Sequence, residues 1–278
     1  MNEHSDSAQA DWSAAIERAV ADGKIALPGL PEIAFRIRQA AASDSATADS
    51  LARLIAEDAA LTARVMKVAN AAAVRRSTPV SRLDQAIGRL GFRLVLSLVT
   101  GLCLLRQMER HSGPIGERIR TYHAHATEAA AIAHYLAGST PSLDEHEALL
   151  AGLVHDIGAL PILDFAARQP ELAADETALE TLLARHHAAL GTRILGEWNF
   201  PERIVTAAAQ HENTYRGHDG PADLVEVVIA ANLQCGHGTQ IEGVSVPALE
   251  RFNLVTEPLA ERAGVQASID ELRMSLAA

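Results

Sequence analysis

The chain has 278 residues, of which 48% are hydrophobic and only 4% aromatic, and its formal net charge is −11. That length can bury one large core or two smaller ones, and an alanine- and leucine-rich composition favours close-packed helices over sheets. The longest apolar run, Leu94 to Leu105, is too short to span a bilayer, and the first residues, MNEHSDSAQADW, are too acidic for a signal peptide. Cys103 and Cys235 stand far apart without metal-type spacing, so reduced thiols in a cytoplasmic protein are expected.

The charge is uneven. Residues 1–23 carry −4, residues 24–110 carry +6 and residues 111–278 carry −13. Such an asymmetry suggests two modules with different partners, or halves that attract each other; solvated helix faces are the plainer alternative.

A lead-in of residues 1–23 contains one short helix near Trp12 to Ala21. The Leu-Pro pairs of LPGLPE give an extended start, and Pro31 suits the first turn of a helix running to about Ala42. Leu51, Leu54, Ile55 and Asp58 share a helix face. Asp58 can cap the next helix, whose stripe is Leu61, Val65, Val68 and Ala72. RRSTPVS reads as a loop. Ser81 and Asp84 form a capping signal for a helix from Arg82 to Leu90, ended by Gly91. An apolar helix covers Phe92 to Met108. HSGPIG, His111 to Gly116, has linker chemistry where the charge reverses, so the boundary is expected there, between lobes at 24–110 and 117–278.

The second half also reads as helices. His125, Ala129, Ile132 and Leu136 form one stripe. GSTPSLDEHE reads as a loop. The run LLAGLVHDIG places Leu149, Gly152, Leu153 and Asp156 at i, i+3, i+4 and i+7, ending at Gly158. His187, Gly191 and Leu195 stack on a helix that begins after ARQP, and Gly191 would admit a neighbouring backbone. Ile204, Ala208 and His211 share a face after Pro201, and Val225, Val228, Ile229 and Asn232 mark another helix. QCGHGTQIEGVS is loop, and one or two short helices close the chain. No strand-like alternation appears, so the expected fold is all-α in two helical lobes.

His125, the His155–Asp156 pair, His187, His211 and Asn232 thus point into apolar stripes of separate helices. A single such group is ordinarily a hydrogen-bonded core residue. Several converging imidazoles with a carboxylate suit a first-row divalent metal such as iron or manganese. His4, His111, His123, His134, His146, His186, His218 and His237 read as surface or loop residues, with His123 an alternative to His125. Arg64, Lys67, Arg75 and Arg76 form a modest basic patch that suits a protein partner. The acidic chain argues against nucleic acid.

His125, His155–Asp156 and the Ala231–Asn232 doublet resemble the H…HD…D signature of the HD superfamily of metal-dependent phosphohydrolases. His187 and His211 resemble the extra ligands of its HD-GYP branch, although no GYP motif is present and Glu212 stands where a second histidine is expected. LPGLPE, IAEDAALTARVMKVANAA and LDQAIGRLG, followed by AGLVHDIG, HHAALGTRIL and EWNFPERIVTAAAQHE, resemble the HDOD family, the HD-related output domain, from about residue 24 to 235. Ala59 and Ala71 replace a usual proline and serine.

That resemblance implies an all-helical bacterial signalling module, with an N-terminal helical bundle and an HD-like core. It implies a decayed ligand set without phosphohydrolase activity, a possible divalent metal, and action through a signalling partner, a cyclic dinucleotide or another nucleotide, with no membrane involved. The decay here falls on Asn232, whose amide can still offer a carbonyl but no charge. The competing expectation is an active metal-dependent phosphohydrolase on a nucleotide or cyclic dinucleotide.

Overall fold

A computed structural model of the chain describes residues 12–20, 22, 31–43, 46–73, 79–107, 112–238, 244–262 and 265–277. Among these the secondary structure is helix and turn, with no strand. The helices are α1 (12–20), α2 (Glu32–Ala41), α3 (Ala48–Ala56), α4 (Ala59–Ala73), α5 (Leu83–Leu90) and α6 (Phe92–Gln107). After them come α7 (Gly113–Gly138), α8 (Glu145–Val154), α9 (Ala159–Ala167), α10 (Pro170–Ala174), α11 (Glu176–Glu197) and α12 (Glu202–Gln210). α13 (Leu224–Gln234), α14 (Pro247–Arg251), a 3-10 turn (Leu259–Glu261) and α15 (Val265–Ala277) complete the chain.

The apolar stripes build two buried clusters. One is formed by α2 to α6 around Ile37, Leu51, Ile55, Leu61, Val65 and Ile87. The other is built mainly by α7 to α15, with Ile16 of α1 packed into it. α6 is a shared wall: Val95, Val99 and Leu102 face the first cluster, while Leu94 and Leu98 face the second. α1 is held to the second cluster by Trp12 against Phe165 and by a 2.7 Å hydrogen bond between Ser13 Oγ and His186 Nε2. His186 is therefore a docking residue rather than a free surface group.

Local chemistry explains several boundaries. Asp58 Oδ1 accepts from the amides of Ala60 and Leu61 and so caps α4, while its carboxylate also pairs with Arg106 on α6. Asn70 holds both backbone groups of Val80, accepting its N–H at 2.8 Å and donating to its carbonyl at 3.1 Å. Gly91 ends α5 at φ 82, a conformation glycine adopts without strain.

Four local expectations are corrected. The Ser81 cap of α5 does not form: the helix begins at Leu83 with Arg82 at its N-cap, and Asp84 pairs with Arg82. Residues 113–116 are not linker but the first turn of α7, started by Pro114. α8 begins at Glu145, capped by Asp144, so the loop before it is shorter than its polarity suggests. α8 also stops at Val154: His155 to Gly158 form a turn and α9 follows at once. Asp156 therefore lies in a turn rather than on a helix stripe. The run Glu145–Ala167, not Leu94–Leu105, has the length and composition of a membrane span, but 83% of its apolar window is buried inside the fold.

Candidate metal centre

The close packing of α7 on α8 sets up the site. Gly152 lies so near Ala130 that a Cβ there would come within 2.6 Å of the Ala130 Cα. This approach brings His125 on α7 to His155 at the end of α8, with their Nε2 atoms 3.1 Å apart. The geometry thus selects His125 over His123. A second close contact brings in α11: a Cβ on Gly158 would overlap the His187 carbonyl and the Gly191 amide. The backbone that Gly191 was expected to admit is that of Gly158. α11 then presents His187, and His211 at the end of α12 meets it, Nε2 to Nε2, at 3.0 Å.

Asp156 sits between the two histidine pairs. Its Oδ2 is 3.4 Å from His155 Nε2 and 3.6 Å from His125 Nε2. Its Oδ1 is 3.2 Å from His211 Nε2 and 3.5 Å from His187 Nε2. One carboxylate thus faces two nitrogen pairs, one with each oxygen, as a bridging ligand between two ions would.

Backbone carbonyls fix the rings. His155 Nδ1 donates to the Gly152 carbonyl, His187 Nδ1 to that of Leu183 and His211 Nδ1 to that of Ala208, at 2.8 to 2.9 Å. With Nδ1 donating to a carbonyl, it is the Nε2 of each ring that faces Asp156. This is the tautomer and second-sphere pattern of a metal-ligating histidine. Two lone pairs 3 Å apart repel unless a proton or a cation lies between them.

The electrostatics show the same need for positive charge. Burial first, and then His155, push the His125 pKa down to about 3. Burial also lowers that of His155, against the pull of Asp156. Burial opposes the charge on Asp156, but His155, His211 and His187 outweigh it and hold the carboxyl well below its ordinary range. At His211 burial is outweighed by hydrogen bonds and charge from Asp156 and Glu212, which push its pKa up to about 10. With no metal bound, a proton on His211 supplies the cation this cluster requires.

Asn232 lies on α13, almost fully buried, and its Oδ1 has no hydrogen-bond partner; His125 Nδ1 is likewise buried and unpartnered. The Asn232 backbone carbonyl accepts the His237 backbone N–H at 3.1 Å, and the His237 ring lies 4.1 Å from that of His125. His237 is thus part of the site's edge, although nothing in the periodicity of its loop marks it. Glu212 is the other addition: its Oε1 is 3.4 Å from His211 Nε2 and 3.7 Å from His187 Nε2. The residue that breaks the histidine pattern returns a carboxylate to the centre. These residues fit a divalent cation, with four imidazoles, one bridging carboxylate and one nearby.

A cleft of about 440 Å³ leads to His125 and His237 past Glu117, Arg118, Tyr122, Glu176 and Glu180. Arg118 is already paired with Glu180 and stands 3.8 Å from Glu176, so carboxylates dominate the mouth. Arg64 and Lys67 of the basic patch lie elsewhere. Arg64 donates to the Leu276 carbonyl at 3.1 Å and Lys67 to the Met274 carbonyl at 2.9 Å, both at the end of α15. Arg75 and Arg76 lie outside the described residues.

The family model of the HDOD domain matches residues 27–214. An uncharacterized protein of Treponema pallidum is 22% identical over 228 residues, which are 77% of this chain and 43% of that one; the chain spans less than half of that relative. Among solved structures, a "putative metal-dependent phosphohydrolase" of Shewanella amazonensis superposes with a TM-score of 0.81 at 22% identity, covering 97% of this chain and 99% of that one. An HDOD domain protein of unknown function from Geobacter sulfurreducens gives 0.67 at 23% identity, over 94% and 96%. A "putative signal transduction protein" of Marinobacter aquaeolei gives 0.59 at 24% identity, over 99% of this chain and 65% of that one. These likenesses establish a shared fold.

Proposed function

Since the chain belongs to the HDOD family, we propose that it is a bacterial signal-transduction module whose HD-like core binds divalent metal without turning over a phosphoester. The observation that carries this reading is Asp156, set between two pairs of Nε2 atoms. His125, His155, Asp156 and the Asn232 amide would hold one ion; Asp156, His187, His211 and Glu212 would hold a second. A bound ion supplies charge stabilisation and, in hydrolases, an activated water. Here the amide of Asn232 withholds one negative charge from the first position, and the carboxylates at the mouth repel an anionic phosphoester.

The runner-up, a phosphohydrolase acting on a nucleotide or cyclic dinucleotide, is supported by the same ligand set. The output is proposed to pass to a signalling protein partner in the cytoplasm. Arg64 and Lys67 are candidates for that contact, and a partner reading them would compete with the end of α15.

One experiment separates these readings. Purified protein is titrated with Mn²⁺, Fe²⁺ or Ni²⁺ while its melting temperature is followed, and the loaded protein is screened against nucleotides and cyclic dinucleotides. A rise in melting temperature without turnover is expected. Turnover would establish the phosphohydrolase. No thermal response to any of the metals would leave the cluster a hydrogen-bonded core.

A further inference from the structure

α7 and α8 carry a second pair of histidines. His134 stands nine residues after His125 on α7, and His146 stands nine residues before His155 on α8. The two helices pack antiparallel, so His134 meets His146 as His125 meets His155; the ring centroids of the second pair are 5.9 Å apart. Nine residues are two and a half helical turns and a rise of about 13 Å. The second pair therefore lies in the opposite groove of the same helix pair. On its His134 and Glu145 side that groove faces α15 and the first-half residues Val68, Leu90 and Leu94, while His146 also borders a cleft toward the start of α12.

Glu145 joins the pair. It is half-exposed, and its Oε1 is 3.9 Å from His146 Nε2. One ligand atom from each of His134, Glu145 and His146 lies within 4.8 Å of the others. Ligands around a tetrahedral ion with bonds of 2.0–2.1 Å are roughly 3.4 Å apart, so a movement of about 1 Å closes the set. Glu145, at the solvent edge, is free to make it. Nε2 is the His146 nitrogen that faces Glu145, and its Nδ1 is buried without a hydrogen-bond partner. The nearby cation, Arg93, is paired with Asp144 at 2.6 Å and leaves Glu145 available.

We propose that His134, Glu145 and His146 form a second divalent-cation site, of the zinc or nickel class, independent of the Asp156 centre. Two imidazoles and a carboxylate leave coordination positions open toward the cleft, as in sites that exchange their ion. An ion there ties the end of α7 to the start of α8, beside the first-half helices.

The test is equilibrium dialysis of the full chain against Co²⁺ and Zn²⁺, with the visible spectrum of bound Co²⁺ as the second readout. Wild type is compared with Glu145→Gln, His146→Gln and Asp156→Asn. One equivalent is expected to disappear in His146→Gln and to weaken at least tenfold in Glu145→Gln. That equivalent persists in Asp156→Asn, with its Co²⁺ spectrum unchanged. The melting temperature in chelator serves as the folding control; should His146→Gln unfold, the exposed Glu145→Gln carries the test. Equal stoichiometry and affinity in wild type and Glu145→Gln would overturn the proposal. So would loss of all binding in Asp156→Asn, or no binding by wild type. A failure of the Asp156 centre alone would appear as one equivalent that only the first two variants affect.

Discussion

Gly158 and Gly191 meet backbone to backbone: a Cβ on Gly158 would stand 2.4 Å from the Gly191 amide and closer still to the His187 carbonyl. The turn that carries Asp156 and the helix that carries His187 are registered by this contact. Gly158→Ala must push α11 away, an overpacking cost of about 1–3 kcal/mol or more. Gly191→Ala meets its nearest atom at 3.4 Å and should be milder. Thermal melts of the two variants should rank in that order, and only Gly158→Ala should also lose metal-induced stabilisation. An equal or reversed ranking would show that this contact does not set the register.

Asn232→Asp tests the centre by sign. Asn and Asp are almost isosteric, and the Asn232 Oδ1 is already buried without a partner. Without a metal, the new carboxylate should destabilise the fold by roughly 1–3 kcal/mol. In excess Mn²⁺ it should instead raise the melting temperature above that of wild type. A variant equally destabilised in chelator and in Mn²⁺ would remove the metal from the account.

Glu226 is fully buried, with Arg251 Nε 2.9 Å from one oxygen and His218 Nε2 3.3 Å from the other. Arg251→Met strips the guanidinium from a buried carboxylate and should cost about 3–5 kcal/mol. Adding Glu226→Gln to it should recover much of that loss in a denaturant melt. Additive losses would place the energy in packing rather than in the ion pair.

The Asp58 carboxyl is held below its ordinary value of 3.8, chiefly by its hydrogen bond from Arg106, with further help from the amides of α4. A depressed folded pKa gives stability that is present above the unfolded value and is lost as pH falls through the folded one. Wild type should therefore exceed Asp58→Asn in stability at neutral pH, and the gap should shrink below about pH 4. A gap independent of pH would mean that the carboxylate's charge contributes nothing.

Arg64 and Lys67 donate to the last carbonyls of α15, where a cation also complements the helix dipole. Reversing both to Glu should expose α15 to limited proteolysis and faster amide exchange. If a signalling partner binds these cations, the same change slows its association, and added salt weakens the wild-type encounter. Unchanged protection of α15 would show that the two donors do not hold it.

The sequence made much of this site legible through one rule: a polar side chain recurring on an apolar stripe. That rule points to His125, His187 and His211, whose rings meet around Asp156, and to the buried Asn232, and the spacing at Gly191 anticipates a close backbone. It erred where apolarity is continuous. Between Leu149 and Ala167 only the His–Asp pair and Gly158 mark the break between α8 and α9, and an apolar period runs straight over the turn that holds Asp156. It also missed side chains placed by tertiary contact alone. His134 and His146 meet because two helices run antiparallel, and His237 meets His125 from a loop with no period. Glu212 was visible as a departure from a histidine pattern, but only its distance to His211 shows it facing the same centre.

The bond between Ser13 and His186 joins residues 173 apart in the chain. During synthesis at about 5–20 residues per second, α1 waits roughly 10–35 seconds for its partner to emerge. Over that interval α7 to α10 emerge, but Ala189 and Leu190 of α11, which lie beside Ile16, do not yet exist. The N-terminal helix therefore completes its docking late, and α4 later still, since Arg64 meets the Leu276 carbonyl across 212 residues.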